Sequence, residues 1–271
     1  MKPHETERSG TAPKENQDAC NRREFFCRAG KILIAGLAMG ALPAVAWGKR
    51  GFIDERLRGW KQKPYWGFAI NIDQCIGCGS CARACKLEND VPPHPFYFRT
   101  WVERYVIDKH EEVDISSPNG GIDGYAPIDD PGMVVKSFYV PKLCNHCDNS
   151  PCEQVCPVGA TFKTKDGAVL IDRKHCIGCR YCIQACPYGT RYFHPELHVA
   201  AKCTMCYHRI TKGLRPACVE VCPARARVFG DLSDENSEIT RFINRFKVQV
   251  LKSHMGTDPK LVYKGLDRHV R

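Results

Sequence analysis

Along most of this chain the apolar residues come in short bursts, too brief to define long elements. The segment 96–107 is dense in aromatic and β-branched residues and predicts one or two strands. Segments 134–140 and 168–172 read as further short strands, and 116–132, rich in Gly, Pro and Asp, reads as a loop. Its acidic residues do not follow the order of a calcium-binding EF-hand. Ile239, Phe242, Ile243 and Phe246 recur at helical spacing and predict an amphipathic helix over 237–247 packed on a core. These elements indicate a mixed α+β chain. Its 271 residues suffice for one large domain or two smaller ones.

One apolar run stands apart, from 32 to 46. Its fifteen residues fall short of the ~20 that span a bilayer. It follows Asn21-Arg22-Arg23-Glu24-Phe25-Phe26 and ends in Ala44-Val45-Ala46, a small-x-small cleavage pattern. Twin arginines before a moderately apolar stretch resemble a twin-arginine (Tat) export signal over 1–46. Cleavage is expected near Ala46 and Trp47, with the mature protein periplasmic, at the outer face of the cytoplasmic membrane. An uncleaved N-terminal anchor is the less favoured reading. Elsewhere no stretch approaches 18 consecutive apolar residues, so membrane contact is expected only through partners.

Cysteine usage changes the picture most. The chain has 18 Cys, of which 16 fall into four groups; Cys20 and Cys27 lie in the leader and are assigned no role. Group one is Cys75, Cys78, Cys81 and Cys85. Group two is Cys144, Cys147, Cys152 and Cys156. Group three is Cys176, Cys179, Cys182 and Cys186, and group four is Cys203, Cys206, Cys218 and Cys222. Groups one and three have the C-x2-C-x2-C-x3-C spacing of bacterial ferredoxins, in which three thiolates wrap one cubane and the fourth ligates the neighbouring one. Gly77 and Gly178 permit close backbone approach. The fourth Cys is expected at the start of a short helix, pointing away. Proline follows it in three groups (Pro157, Pro187, Pro223), whereas group one has Lys86.

The groups repeat. Ile72-Asp73 precedes group one as Ile171-Asp172 precedes group three, and Cys152-x3-Cys156-Pro157 parallels Cys218-x3-Cys222-Pro223. One with two, and three with four, read as a duplicated ferredoxin-like unit. The predicted fold is therefore α+β, with a four-cluster domain at 65–232, a β-containing insertion at 86–143, and a C-terminal helix and tail at 233–271. Structural zinc usually pairs two separated CxxC units and fits these spacings poorly. Disulfides are disfavoured because the route carries folded protein. Four [4Fe–4S] clusters are the expected cofactors.

With the groups assembled, the chain resembles the four-cluster iron–sulfur subunits of DMSO-reductase-type complexes. It is similar to the ferredoxin-like subunits of polysulfide-, tetrathionate- and nitrite-reduction systems and of the sulfite-reduction-associated Dsr membrane complex. The resemblance is carried by the stretch from Cys176 to Phe193, by Lys202 to Ile210, by Pro216 to Leu232, and by Gly256 to Tyr263. It implies crossed ligation. Cys75, Cys78 and Cys81 would share a cluster with Cys222, and Cys203, Cys206 and Cys218 with Cys85. Cys144, Cys147 and Cys152 would join Cys186, and Cys176, Cys179 and Cys182 would join Cys156. It further implies an electron-transfer subunit without catalytic residues of its own. Its partners would be a polytopic quinone-interacting membrane subunit and either a molybdopterin catalytic subunit or a cytochrome c subunit. A freely diffusing polyferredoxin and a zinc scaffold are the alternatives.

His146 lies between Cys144 and Cys147, and His175 precedes Cys176. With every ligand position already Cys, they are expected to pack or to hydrogen-bond cluster sulfur, and Tyr207 and His208 are expected to flank a cluster. The formal charge of +10 suggests nucleic acid, but the balance argues otherwise. Removing 1–46 leaves 33 basic against 25 acidic residues, a formal +8. Four oxidised cubanes with their thiolates add about −8.

Overall fold

The computed structural model describes residues 63–94 and 96–270; the twin-arginine segment and the apolar run at 32–46 lie outside the described residues. The first strand, β1 (Trp66–Asn71), is buried from Gly67 onward. It is the centre of a sheet closed by segments from the far end of the chain. β9 (Arg227–Asp231) pairs antiparallel with it, Phe68 opposite Phe229, and β11 (Leu261–Lys264) pairs parallel on its other edge, Phe68 opposite Leu261. β10 (Val248–Gln249) completes the order β10-β11-β1-β9. The helix expected over 237–247 is α6 (Glu238–Arg245), capped by the Ser237 hydroxyl, which accepts from the Thr240 N–H. It buries Ile239 against Ala69 and Val228, the packing its apolar spacing calls for.

The insertion is a three-stranded antiparallel sheet. β2 (Thr100–Asp108) lies between β3 (Val113–Ser116) and β4 (Val134–Leu143), and β4 runs directly into Cys144. The aromatic segment at 96–107 thus supplies one strand, and β3 carries too little pattern to be read in advance. Two further hairpins, β5 (Thr161–Lys163) with β6 (Val169–Ile171) and β7 (Arg191–Phe193) with β8 (Ala200–Lys202), link groups two to three and three to four. Among the described residues no helix is long and apolar enough to cross a membrane.

The cysteine helices follow the proline pattern. Where Pro follows the fourth Cys, the helix is one turn: α2 (Pro151–Gln154), α3 (Tyr181–Gln184) and α5 (Ala217–Glu220). Where Lys86 stands instead, α1 (Ser80–Glu88) runs nine residues. The Lys86 ammonium then donates to the carbonyls of Pro92, Pro93 and His94, fastening the exit from the helix. One expectation is corrected. The third Cys of each group lies within a helix, and the fourth lies past the helix end in groups two to four and inside α1 in group one. The short turn carries the chain around the fourth Cys, so helix and ligand loop share residues.

In sequence the repeat runs one-two and three-four, but in space the order is nested. Helix α1 packs on α5, and α2 packs on α3. Group one therefore meets group four, and group two meets group three. The β1–β9 ladder closes the outer pair while the β5–β6 hairpin makes the inner pair local.

Gly79 marks where the insertion locks onto the first cysteine loop. Its φ is +65°, and a Cβ there would collide with the Gly121 carbonyl oxygen. Gly79→Ala is expected to cost about 3 kcal/mol or more, since a left-handed residue and a backbone clash combine. Gly189→Ala, also at positive φ but facing open space, is expected to cost about 1 kcal/mol. Thermal denaturation of the two holoprotein variants checks this; equal melting shifts would refute it.

Candidate metal centres

Three cavities are each lined by four thiols from two groups. The first, of about 340 Å³, is bounded by Cys75, Cys78, Cys81 and Cys222. The second, of about 260 Å³, is bounded by Cys85, Cys203, Cys206 and Cys218, under Phe68, Leu143 and Met205. The third, of about 320 Å³, is bounded by Cys144, Cys147, Cys152 and Cys186. These thiols form sets one to three. Set four is the remaining cysteines: Cys182 feels the charges of Cys176 and Cys156, and Cys179 is exposed on the same loop. All sixteen thiols are free of disulfides. Among the described residues no three Cys, His, Asp or Glu side chains converge closely enough for a single metal ion. Four thiol donors drawn from two groups around each cavity suit an iron–sulfur cluster.

Burial dominates the thiol electrostatics. It pushes Cys75 up to about 11 and Cys147, Cys203 and Cys218 up to about 12, with neighbouring thiolates adding to the rise at Cys147 and Cys203. Cys85 is driven well above the ordinary thiol value by burial and then by Cys218, Cys203 and Cys206. Crowded, desolvated thiolates of this kind need positive charge to stay ionised. Cys144 shows the compensation: burial works to raise it, but Lys202 and Arg191 together hold it below the usual thiol range.

Three buried cations supply that charge, and each lies within the electrostatic reach of two sets. Arg227, at the start of β9, feels Cys81, Cys75 and Cys222 of set one and Cys218 of set two. Lys202, at the end of β8, feels Cys203 of set two and Cys144 and Cys152 of set three. Arg191, opposite Lys202 in the β7–β8 ladder, feels Cys152 and Cys144 of set three and Cys182 of set four. Its guanidinium donates to Cys152 Sγ at 2.8 Å. Shared cations therefore connect the sets in the order one, two, three, four.

The sequence reading missed these cations. A signal was present: Arg191 and Arg227 each stand five residues after the fourth Cys of their group, Cys186 and Cys222. It also missed Asn89, whose amide lies 3.6 Å from both Cys85 Sγ and Cys206 Sγ and is held by Arg99, which donates to its Oδ1 at 3.1 Å. An amide aimed at two ligand sulfurs is an arrangement that tunes a cluster.

The comparisons with known proteins agree with this donor set. Residues 74–160 and 135–232 each match a family described as a 4Fe-4S dicluster domain. The chain is 39% identical over 254 residues to a tetrathionate reductase subunit of Salmonella typhimurium, covering 93% of this chain and 90% of that one. It is 40% identical to the putative dimethyl sulfoxide reductase iron-sulfur subunit of Halobacterium salinarum, covering 73% of this chain and 78% of that one. The chain belongs to the iron–sulfur subunits of the DMSO-reductase type. A further relative is the Hdr-like menaquinol oxidoreductase iron-sulfur subunit 1 of Archaeoglobus fulgidus, 33% identical over 91% of this chain and 98% of that one.

This iron–sulfur subunit is thus an electron-transport protein built around [4Fe–4S] clusters. Its histidines divide. His146 is wholly buried on the wall of the third cavity. Its Nδ1 accepts from the Val169 N–H at 3.0 Å, which puts the proton of the neutral ring on Nε2. Burial, then Lys202, Lys260 and Arg191, hold it well below the usual histidine range. The protonated Nε2 faces the Cys203 backbone, so the ring ties group two to group four. His175 is instead exposed and bound to Asp172. His208 pairs with Glu88 at 2.6 Å and so ties α4 (Tyr207–Ile210) to α1, while Tyr207 packs against the apolar core.

Proposed function

We propose that this subunit is an extracytoplasmic relay carrying four [4Fe–4S] clusters between a quinone-interacting membrane subunit and a catalytic or haem-bearing subunit. The observation that carries the proposal is the chain of four thiol sets joined in order by Arg227, Lys202 and Arg191. When bound, each cluster supplies reversible one-electron transfer. The four sets are the proposed ligands: Cys75, Cys78, Cys81 and Cys222; Cys85, Cys203, Cys206 and Cys218; Cys144, Cys147, Cys152 and Cys186; and Cys156, Cys176, Cys179 and Cys182. On this reading the fold is a nested duplication of ferredoxin-like units.

The chain's own residues divide the work. Phe68, Leu143 and Met205 keep water from set two, and the buried cations hold thiolate charge at sets one to four. At set one Cys78 is exposed beside Ile76, which is 60% exposed; at set four Cys179 is exposed beside Ile177, 64% exposed. These two apolar rims are the places where partners can approach a cluster closely. Support for the membrane partner comes from the relative named as a menaquinol oxidoreductase subunit, and for a reductase partner from the relative named as a tetrathionate reductase subunit. The twin arginines Arg22-Arg23 and the 32–46 run support export. A freely diffusing polyferredoxin is not favoured, because these relatives are named as subunits.

Anaerobic isolation in mild detergent tests the proposal. About sixteen iron and sixteen acid-labile sulfide per chain are expected, with a polytopic subunit and a molybdenum- or haem-bearing subunit co-purifying. The mature chain should begin near Trp47 in the extracytoplasmic fraction. A colourless protein without sulfide would overturn the cluster assignment. A lone subunit would overturn the relay, and a cytoplasmic precursor of full length would overturn the location.

A further inference from the structure

Arg191 and Arg227 occupy the same place in the repeat, five residues beyond Cys186 and Cys222, and each opens a strand, β7 and β9. Both are buried, 5% and 3% exposed. Neither pairs with a carboxylate among the described residues. Arg227 donates through Nη2 to Thr100 Oγ1 at 2.7 Å, and its guanidinium also bonds the Cys218 thiol. Arg191 donates to Thr161 Oγ1 at 3.3 Å and to Cys152 Sγ, and its guanidinium also bonds the Cys182 thiol. Thr100 is itself fixed, donating to the Lys142 carbonyl at 2.7 Å. Each guanidinium is therefore clamped by a threonine hydroxyl and lines a thiol cavity, the first for Arg227 and the third for Arg191.

A guanidinium cannot be deprotonated in a protein. Buried without a carboxylate, its charge is answered by thiolates alone, and here those thiolates belong to two sets at once. A fixed positive charge near a cluster favours its reduced form, which carries one more negative charge. Burial keeps this influence from being screened by salt. One arginine therefore acts on two neighbouring clusters together.

The geometry points to Arg227 and Arg191 as paired potential-setting residues, Arg227 governing the clusters of sets one and two and Arg191 those of sets three and four. They are positioning residues acting through charge. The inference rests on the four-cluster reading above and assigns the four potentials to two separately tunable halves.

The test is an anaerobic redox titration of the intact complex followed by electron paramagnetic resonance, comparing wild type, Arg227→Met, Arg191→Met, Arg227→Lys and Arg191→Lys. Arg227→Met is expected to move two of four midpoint potentials downward and leave two in place. Arg191→Met is expected to move the complementary two. Each lysine variant keeps the charge and is expected to restore most of the shift, which a purely structural role would not do. If a methionine variant does not assemble, its lysine variant must still keep all four potentials near wild type while the other arginine's methionine variant shifts its own two. Unchanged potentials, or a uniform shift of all four, would overturn the inference while leaving the four-cluster reading intact. A wild-type complex without four cluster signals would overturn both.

Discussion

Stripping iron and sulfide from the holoprotein is expected to unfold residues 63–270 as a unit, with no stable apo fold left behind. The reason lies in charges as much as in packing. Four of the buried thiols, Cys81, Cys144, Cys203 and Cys218, are members of the main apolar core, alongside Phe68, Tyr105 and Tyr263. Without metal, burial favours the protonated thiol at Cys75, Cys147, Cys203 and Cys218. Arg227 then loses the anions at Cys75 and Cys218 that answer it while remaining buried, whereas Cys144, held below the usual thiol range, still answers Lys202 and Arg191. Breaking a buried pair so that one charge is left alone costs about 3–5 kcal/mol, a large share of the ~5–15 kcal/mol of a whole domain. Metal affinity is here folding free energy. Anaerobic chelation followed by far-UV circular dichroism and limited proteolysis checks this. Loss of ordered signal together with loss of iron is expected, and a protease-resistant apo form with a cooperative melt would overturn it.

Much of the site could be read in the sequence because iron ligation is local and strict. Cysteines at fixed spacing mark the thiols that line the cavities, whereas the placement of the short helices around the third Cys of each group was not legible. Helix α6 and strands β2, β4 and β6 were legible because each has an apolar period or a β-branched run. The closing sheet was not. Strand β1 meets β11 across almost the whole described chain, and a parallel pair so distant leaves no local mark. Strands β5, β7 and β8 are three residues long, too short for a period to show. Nesting was hidden for a related reason: similarity between groups orders them along the chain, whereas contact orders them by which strand closes the sheet. Arg191, Lys202 and Arg227 look like ordinary surface cations until the fold buries them. Asn89 follows a helix whose length depends on the missing proline after Cys85, so its reach to two sulfurs could be found only in space.

The nesting leads to a second result of large effect. Cys218 and Cys222 are four residues apart, yet their alanine variants are expected to lose different clusters with different consequences. Cys218 lines the second cavity with Cys85, Cys203 and Cys206, and all four are buried. Cys218→Ala is therefore expected to behave like Cys85→Ala, a substitution 133 positions away in the chain. Both leave three crowded thiols in the second cavity with one ligand gone from the core. Recovery of assembled protein should fall several-fold or more, as a destabilised core is cleared in the cell. Cys222 lines the first cavity, where Cys78 is exposed and Cys75 and Cys222 are only half-buried. Water can solvate what remains there. Cys222→Ala is expected to accumulate as folded protein short of about one quarter of its iron, and Cys78→Ala should match it. Iron content, yield and spin quantification across Cys85→Ala, Cys218→Ala, Cys222→Ala and Cys78→Ala distinguish the patterns. If Cys218→Ala and Cys222→Ala lose the same signal, the crossed sets are wrong. If they part as expected, neighbours in sequence serve different clusters because Cys218, inside α5, lines the second cavity and Cys222, past its end, lines the first.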